Sequence, residues 1–157
     1  MSTLTQPEGD WIRGISIKQP WATAILTGTK TIENRPQHWS WRGWVLLHAG
    51  QQTDRAALRV PMVARTIRGR NLTTGAVIGV ARLTGCHRHP DGFPPCTPWA
   101  QDGAWHLELS DVQALALPIP ARGQLGPWKP SDDLIDQVLQ QLPHLRPCPA
   151  PEAEDAG

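Results

Sequence analysis

Gly28-Thr29-Lys30-Thr31-Ile32-Glu33-Asn34-Arg35 gathers a glycine and three charges of alternating sign into eight residues. Just upstream, Ile15 and Ile17 alternate with Ser16 and Lys18, which predicts a short half-buried strand over 14–18. Gln19–Thr27 then reads as a helix. Pro20 suits its first turn, where no backbone N–H is needed, and Gly28 falls just past its end. Ala22, Ile25 and Leu26 form its expected buried face. Thr31–Asn34 reads as a second strand, stopped by Pro36, because the residue before a proline is pushed out of the helical region. This strand–helix–strand order sets Lys30, Glu33 and Arg35 beside a helix end and a candidate pocket. Lys18 and Gln19 fall at the helix start, where free N–H groups favour an anion.

Outward from this unit, Trp41–Ala49 carries the apolar run Val45-Leu46-Leu47 and predicts a central strand. Asp54–Arg68 has helical spacing, with Asp54 as cap and Leu58, Val63 and Ile67 on one face. Gly75–Cys86 is the strongest strand, and residues 86–103 form a Pro/Gly-rich loop. Trp105–Leu109 and Ala114–Ile119 read as two further strands, Leu125–Trp128 as a segment that closes the sheet. Ser131 caps a final amphipathic helix through Leu142. Five to six short strands with two to three peripheral helices imply an α+β class built on a small mixed β-barrel. The expected organisation is a flexible leader over 1–10, one domain over 11–143 and a disordered Pro/Ala/acidic tail over 144–157.

The chain has 157 residues, enough for one real core and too few for two. No apolar run approaches the ~20 residues of a membrane span, and the polar N-terminus lacks a signal-peptide core. Three cysteines argue against a disulfide framework, so a reducing cytoplasm is the expected location. The net charge of +1 hides an asymmetry: between Trp11 and Trp128 there are 13 Lys/Arg against 6 Asp/Glu, an excess of 7. Arginine outnumbers lysine twelve to three, and Arg suits bidentate phosphate contacts and stacking on bases. A GC-rich codon bias explains an Arg excess equally well, but not the exclusion of acids from this region.

Gly28, Lys30, Glu33 and Arg35 together match the pattern Gly-x-Lys-x-x-Glu-x-Arg, and Lys18-Gln19-Pro20-Trp21 precedes it. With the Arg42-Gly43 turn, the strand to His48 and the closing Gly123-Gln124-Leu125-Gly126-Pro127-Trp128, the chain resembles the ASCH domain, a branch of the PUA-like superfamily. The resemblance covers roughly residues 12–128 and implies a PUA-like barrel and an RNA- or modified-nucleotide-binding cleft.

Lys30, Glu33 and Arg35 have two physical readings. One is a structural ion-pair network; the other is a cleft where Lys30 and Arg35 meet phosphate or a base edge while Glu33 accepts from an exocyclic amine. Trp21, Trp39, Trp41 and Trp44 fall within 24 residues. Trp44 is expected in the core, whereas Trp21, Trp39 and Trp41 are candidate stacking platforms for unpaired bases. His48 ends the central strand, as a core histidine or a cleft residue, and His106 beside Trp105 shares the ambiguity. Cys86-His87-Arg88-His89 and Cys96 match no standard zinc spacing, so the segment reads as a surface loop, with no metal and no cofactor expected.

The expected partner is single-stranded RNA or DNA, or a nucleotide, bound in a cationic, Trp-lined cleft, with no membrane. The alternative is an enzyme. Some small ASCH proteins resemble amidohydrolases that deacetylate acetylcytidine with a Lys, a Thr and a Glu. Lys30 matches the lysine, Glu33 stands where the threonine is expected, Thr31 points to the opposite face, and Glu108 has no clear counterpart. A ribonuclease would use Lys30 on the phosphate and His48 as general base. No serine elbow, paired carboxylates or Gly-rich phosphate loop is present.

Overall fold

The computed structural model describes residues 9–147. The leader reading for 1–8 and the tail reading for 148–157 lie outside the described residues. Strand β1 (Ile12–Gln19) leads through Pro20 into helix α1 (Trp21–Leu26), and strand β2 (Ile32–Arg35) follows. Gly28 has φ +84°, the left-handed conformation that glycine adopts without a Cβ penalty, and its N–H bonds to Ile25 O at 2.9 Å. The helix therefore stops where the sequence indicates.

Strand β3 (Gly43–Thr53) runs parallel to β1 and antiparallel to β4 (Ala76–His87). The expected helix over 54–68 is instead a 3-10 turn at Ala57–Arg59 and helix α2 (Pro61–Thr66). Pro61 explains the break: it places Val60 in an extended conformation, ψ 122°, and it supplies no N–H to continue the first turn. Asp54 does cap, accepting from Ala57 N at 3.2 Å. The two expected strands over 105–119 are one 16-residue strand, β5 (Trp105–Pro120). It survives its polar middle because its pairing with β4 shifts register three times and Asp111 takes φ 51°. Ser131 accepts from Leu134 N at 3.2 Å and caps helix α3 (Asp132–Gln141). Beyond it a 3-10 turn at Pro143–Leu145 buries Leu145.

The five strands form one sheet of order β1-β3-β4-β5-β2, so β1 and β2 are its edges. Alternate residues feed two cores. Ile15, Leu47 and Leu107 pack with α1 on one face, while Leu46, Val80 and Trp128 pack with α3 on the other. The sheet is not closed into a barrel, which corrects the sequence expectation. Leu125–Trp128 adds only a bridge between Gly14 and Trp128, whose backbone bonds measure 2.7 and 3.1 Å. Pro127, which has no N–H to donate, precedes the bridge, and Leu125 is fully exposed. A side chain joins the two edges instead: Arg35 of β2 donates through Nη2 to Ser16 O of β1 at 2.7 Å. The seam left between the edges is where Lys30, Glu33 and Arg35 collect.

Candidate functional site

A cavity of about 640 Å³ opens along this seam, with Ser16, Ile17 and Lys18 of β1 on one side and Lys30 and Glu33–Arg35 on the other. Lys30 is only 1% exposed although it carries an ammonium group. Its Nζ donates to Ile32 O and lies 3.4 Å from Glu33 Oε1. Glu33 Oε1 also accepts from Asn34 N at 2.9 Å, and Glu33 Oε2 lies 3.7 Å from Arg35 Nη2. One buried carboxylate thus serves two cations. Burial pushes the Lys30 pKa below the ordinary lysine value; Glu33 opposes that shift and the nearby Arg35 guanidinium reinforces it. Lys30, Glu33 and Arg35 thus form an ion-pair network, and that network lines the cavity.

The opposite wall comes from α1, α2 and the 88–104 loop. Trp21 lines the cavity with its Nε1 donating to Asp54 Oδ2 at 3.2 Å, and the Lys30 ammonium sits 5.8 Å from its ring centroid. Trp99 meets Trp21 edge to face at 6.4 Å. Asn34 holds that loop by both ends of its amide, donating to Trp99 O at 2.8 Å and accepting from Gln101 N at 2.8 Å. Sequence reasoning missed Trp99, Asn34 and Gln101. Trp99 stands in an aperiodic Pro-rich loop, and Asn34 occupies a variable position of the motif; the one available signal was the Pro98-Trp99 pair beside a turn-rich stretch.

Several expected site residues go elsewhere. Gln19 is fully buried, its Oε1 accepting from Thr23 N at 3.0 Å and its Nε2 donating to Thr73 O at 2.8 Å. It caps α1 from the preceding strand and has no free atom for a ligand. Trp39, expected in a polar loop, is 8% exposed in the first core, with the Arg35 guanidinium 5.5 Å from its ring. Burying a large ring there outweighs the polarity of its sequence neighbours. Trp41 is half-buried under Arg13, 5.7 Å away, and bonds to Asp10 O at 3.2 Å. Neither indole lines the cavity. Trp44 is partly buried against the second core.

His48 belongs to a second cavity of about 810 Å³ on the other side of β1, which shares Ser16, Ile17 and Lys18 with the first. His48 Nε2 bonds to Ala121 O at 2.7 Å, and its Nδ1, like Ser16 Oγ, has no partner. Lys30 and His48 thus line two cavities that adjoin at Ser16, Ile17 and Lys18. Glu108 likewise lies outside the seam cavity, 3.2 Å from His87 Nδ1. Thr31 is exposed, on the face opposite the buried Lys30. No described helix is long and apolar enough to cross a membrane.

The family model described as the ASCH domain matches residues 15–113. Activating signal cointegrator 1 from Homo sapiens is 23% identical over 133 residues, covering 78% of this chain and 22% of that protein. The chain thus corresponds to about a fifth of that relative's length.

Proposed function

We propose that this chain, which belongs to the ASCH domain family, is a binding module for single-stranded RNA that admits one unpaired nucleotide to the seam cavity. ASCH domains are generally RNA-binding modules of the PUA-like kind. The observation that carries the reading is the joining, in one open cavity, of a fixed Lys30–Glu33–Arg35 network with the indoles of Trp21 and Trp99. Indoles offer π-faces to any base, and fixed charges and amides read its edge. The segment that supplies Val60 and Met62 to the wall is a basic strip of sequence, with Arg55, Arg59, Arg65, Arg68 and Arg70 all exposed. Lys18 is exposed on the β1 rim. Such a strip tracks a phosphate backbone without reading sequence.

The test is fluorescence anisotropy with short unpaired RNA at several salt concentrations. Affinity is expected to fall linearly as log[salt] rises, and Lys18→Ala to flatten that slope by about one. Trp21→Ala is expected to weaken binding by about 1–3 kcal/mol, the range of one lost base stack. Absence of binding at low salt, or binding indifferent to salt, overturns the reading. Equal affinity for DNA would remove the RNA preference and leave the single-strand reading intact.

A further inference from the structure

At the far end of β4 and β5 the fold assembles a second group that the motif does not include. His87 and His106 face each other across the β4–β5 ladder. His89 and Cys96, from the loop that follows β4, join them, and the four potential ligand atoms all lie within 4.8 Å of one another. The three imidazole centroids are 4.9 to 5.1 Å apart. The group replaces the set that the sequence places side by side: Cys86 drops out and His106 enters. In a strand, Cys86 points to the face opposite His87, where it packs against the first core. His106 arrives from 17 residues beyond His89.

We propose that His87, His89, Cys96 and His106 bind a zinc ion that fastens the 88–104 loop to the sheet. Two independent features point to a ligand here. First, His106 is 1% exposed and its Nδ1 has no partner, and His87 Nε2 is also buried without one. Buried polar nitrogens without partners are costly, and two in one place call for an occupant. Second, the other nitrogen of each ring is already held. His106 Nε2 bonds to Gln101 O at 2.8 Å, and His87 Nδ1 lies 3.2 Å from Glu108 Oε2. An imidazole that donates one N–H to a carbonyl or carboxylate presents the other nitrogen's lone pair, the second-shell arrangement of zinc-bound histidines.

Gly85 supports this. It sits opposite Glu108, and a Cβ there would collide with the carboxylate that orients His87. His89 Nε2 accepts from Cys96 N at 3.0 Å, which folds the loop back and brings the Cys96 thiol into the group. On coordination His89 exchanges that bond for the metal. Three neutral imidazoles and one thiolate leave Zn²⁺ with a single positive charge, which the Glu108 carboxylate offsets. Four N/S ligands with no open position suit a closed tetrahedral structural site, with Zn–N near ~2.0 Å and Zn–S near ~2.3 Å. The metal would also fix Gln101 through His106, and so the Trp99–Gln101 wall of the seam cavity.

The decisive experiment is cobalt titration of the metal-free whole chain, with zinc content of the untreated protein measured in parallel by mass spectrometry. A single zinc per chain and the visible bands of tetrahedral cobalt with a thiolate charge-transfer band are expected. Cys96→Ser should abolish the charge-transfer band, whereas a Cys86→Ser/Cys148→Ser double variant should keep it. Cys96 is exposed and His89 half-buried, so Cys96→Ser and His89→Ala are expected to retain the circular dichroism of the parent. His89→Ala should weaken zinc binding, and Glu108→Gln should weaken it about ten- to hundredfold. No cobalt bands under any loading condition, or a charge-transfer band that survives Cys96→Ser, overturns the site.

Discussion

The two cavities that share β1 satisfy their polar groups in opposite ways. In the seam cavity one buried carboxylate is shared by a buried ammonium and a half-buried guanidinium, and Asn34 ties the network to the loop that forms the far wall. In the larger cavity around His48 the charged groups, Lys18 and Arg122, are exposed, and the buried polar atoms are partly orphaned: Ser16 Oγ and His48 Nδ1 have no partner, and Gly123 is pressed against both side chains. A buried charge is tolerated only with its partners in place, so the seam is preorganised and intolerant of change. Neutral donors and acceptors accept rearrangement or a water at far smaller cost. The smaller cavity is accordingly the more preorganised of the two.

Removing the shared carboxylate breaks the comparison most severely. Glu33→Ala is expected to destabilise the fold by about 3–5 kcal/mol in urea unfolding, because it strands Lys30 with no counter-charge. Lys30→Met should cost distinctly less, since Glu33 keeps Arg35 and the Asn34 N–H. Equal costs for the two variants would mean that the carboxylate is not the hub. On the other side of β1, Gly123→Ala would place a Cβ 2.7 Å from the His48 ring. A loss of about 1–3 kcal/mol is expected from overpacking, with RNA affinity unchanged. An affinity loss there would show that the ligand enters the His48 cavity instead.

The smallest effect is a pH dependence. Burial lowers the Lys30 pKa, so between that lowered value and the ordinary lysine range the unfolded chain binds more protons than the folded one. Stability should therefore climb with pH across that alkaline window, and show no slope from Lys30 below it, where both states are protonated. Chemical denaturation at a series of pH values, with Lys30→Met as the reference lacking this slope, measures it. A Lys30-dependent slope of the opposite sign would contradict the burial argument.

Much of the β1–α1–β2 unit is legible along the chain because its determinants are local. Ile15 and Ile17 alternate, Gly28 stops the helix, and Lys30, Glu33 and Arg35 lie close enough in sequence to meet whatever the rest of the fold does. The reading of 54–68 as one helix passes over Pro61, whose missing N–H separates the 3-10 turn from α2. The sequence pattern ends one strand at Leu109 and begins another at Ala114; β5 runs through the polar residues between them because its neighbours on β4 supply the pairing. Trp39 and Trp41 illustrate the limit of composition. Their polar neighbours suggest an exposed loop, yet burial of a large ring is decided by what packs against it from elsewhere in the chain.

The sequence by itself determined the family motif, the α+β class, the positions of most elements and the adjacency of Lys30 and Glu33. All of these rest on spacing within a few residues. Tertiary structure alone decided that the sheet stays open, that Arg35 spans its seam, that His48 looks into another cavity, and that Trp99 and Asn34 complete the wall. It also decided that His106 joins His87, His89 and Cys96 in place of Cys86. Each of these depends on strand register and on contacts between segments distant in sequence, where a one-residue shift turns a side chain to the opposite face and no local pattern records the choice.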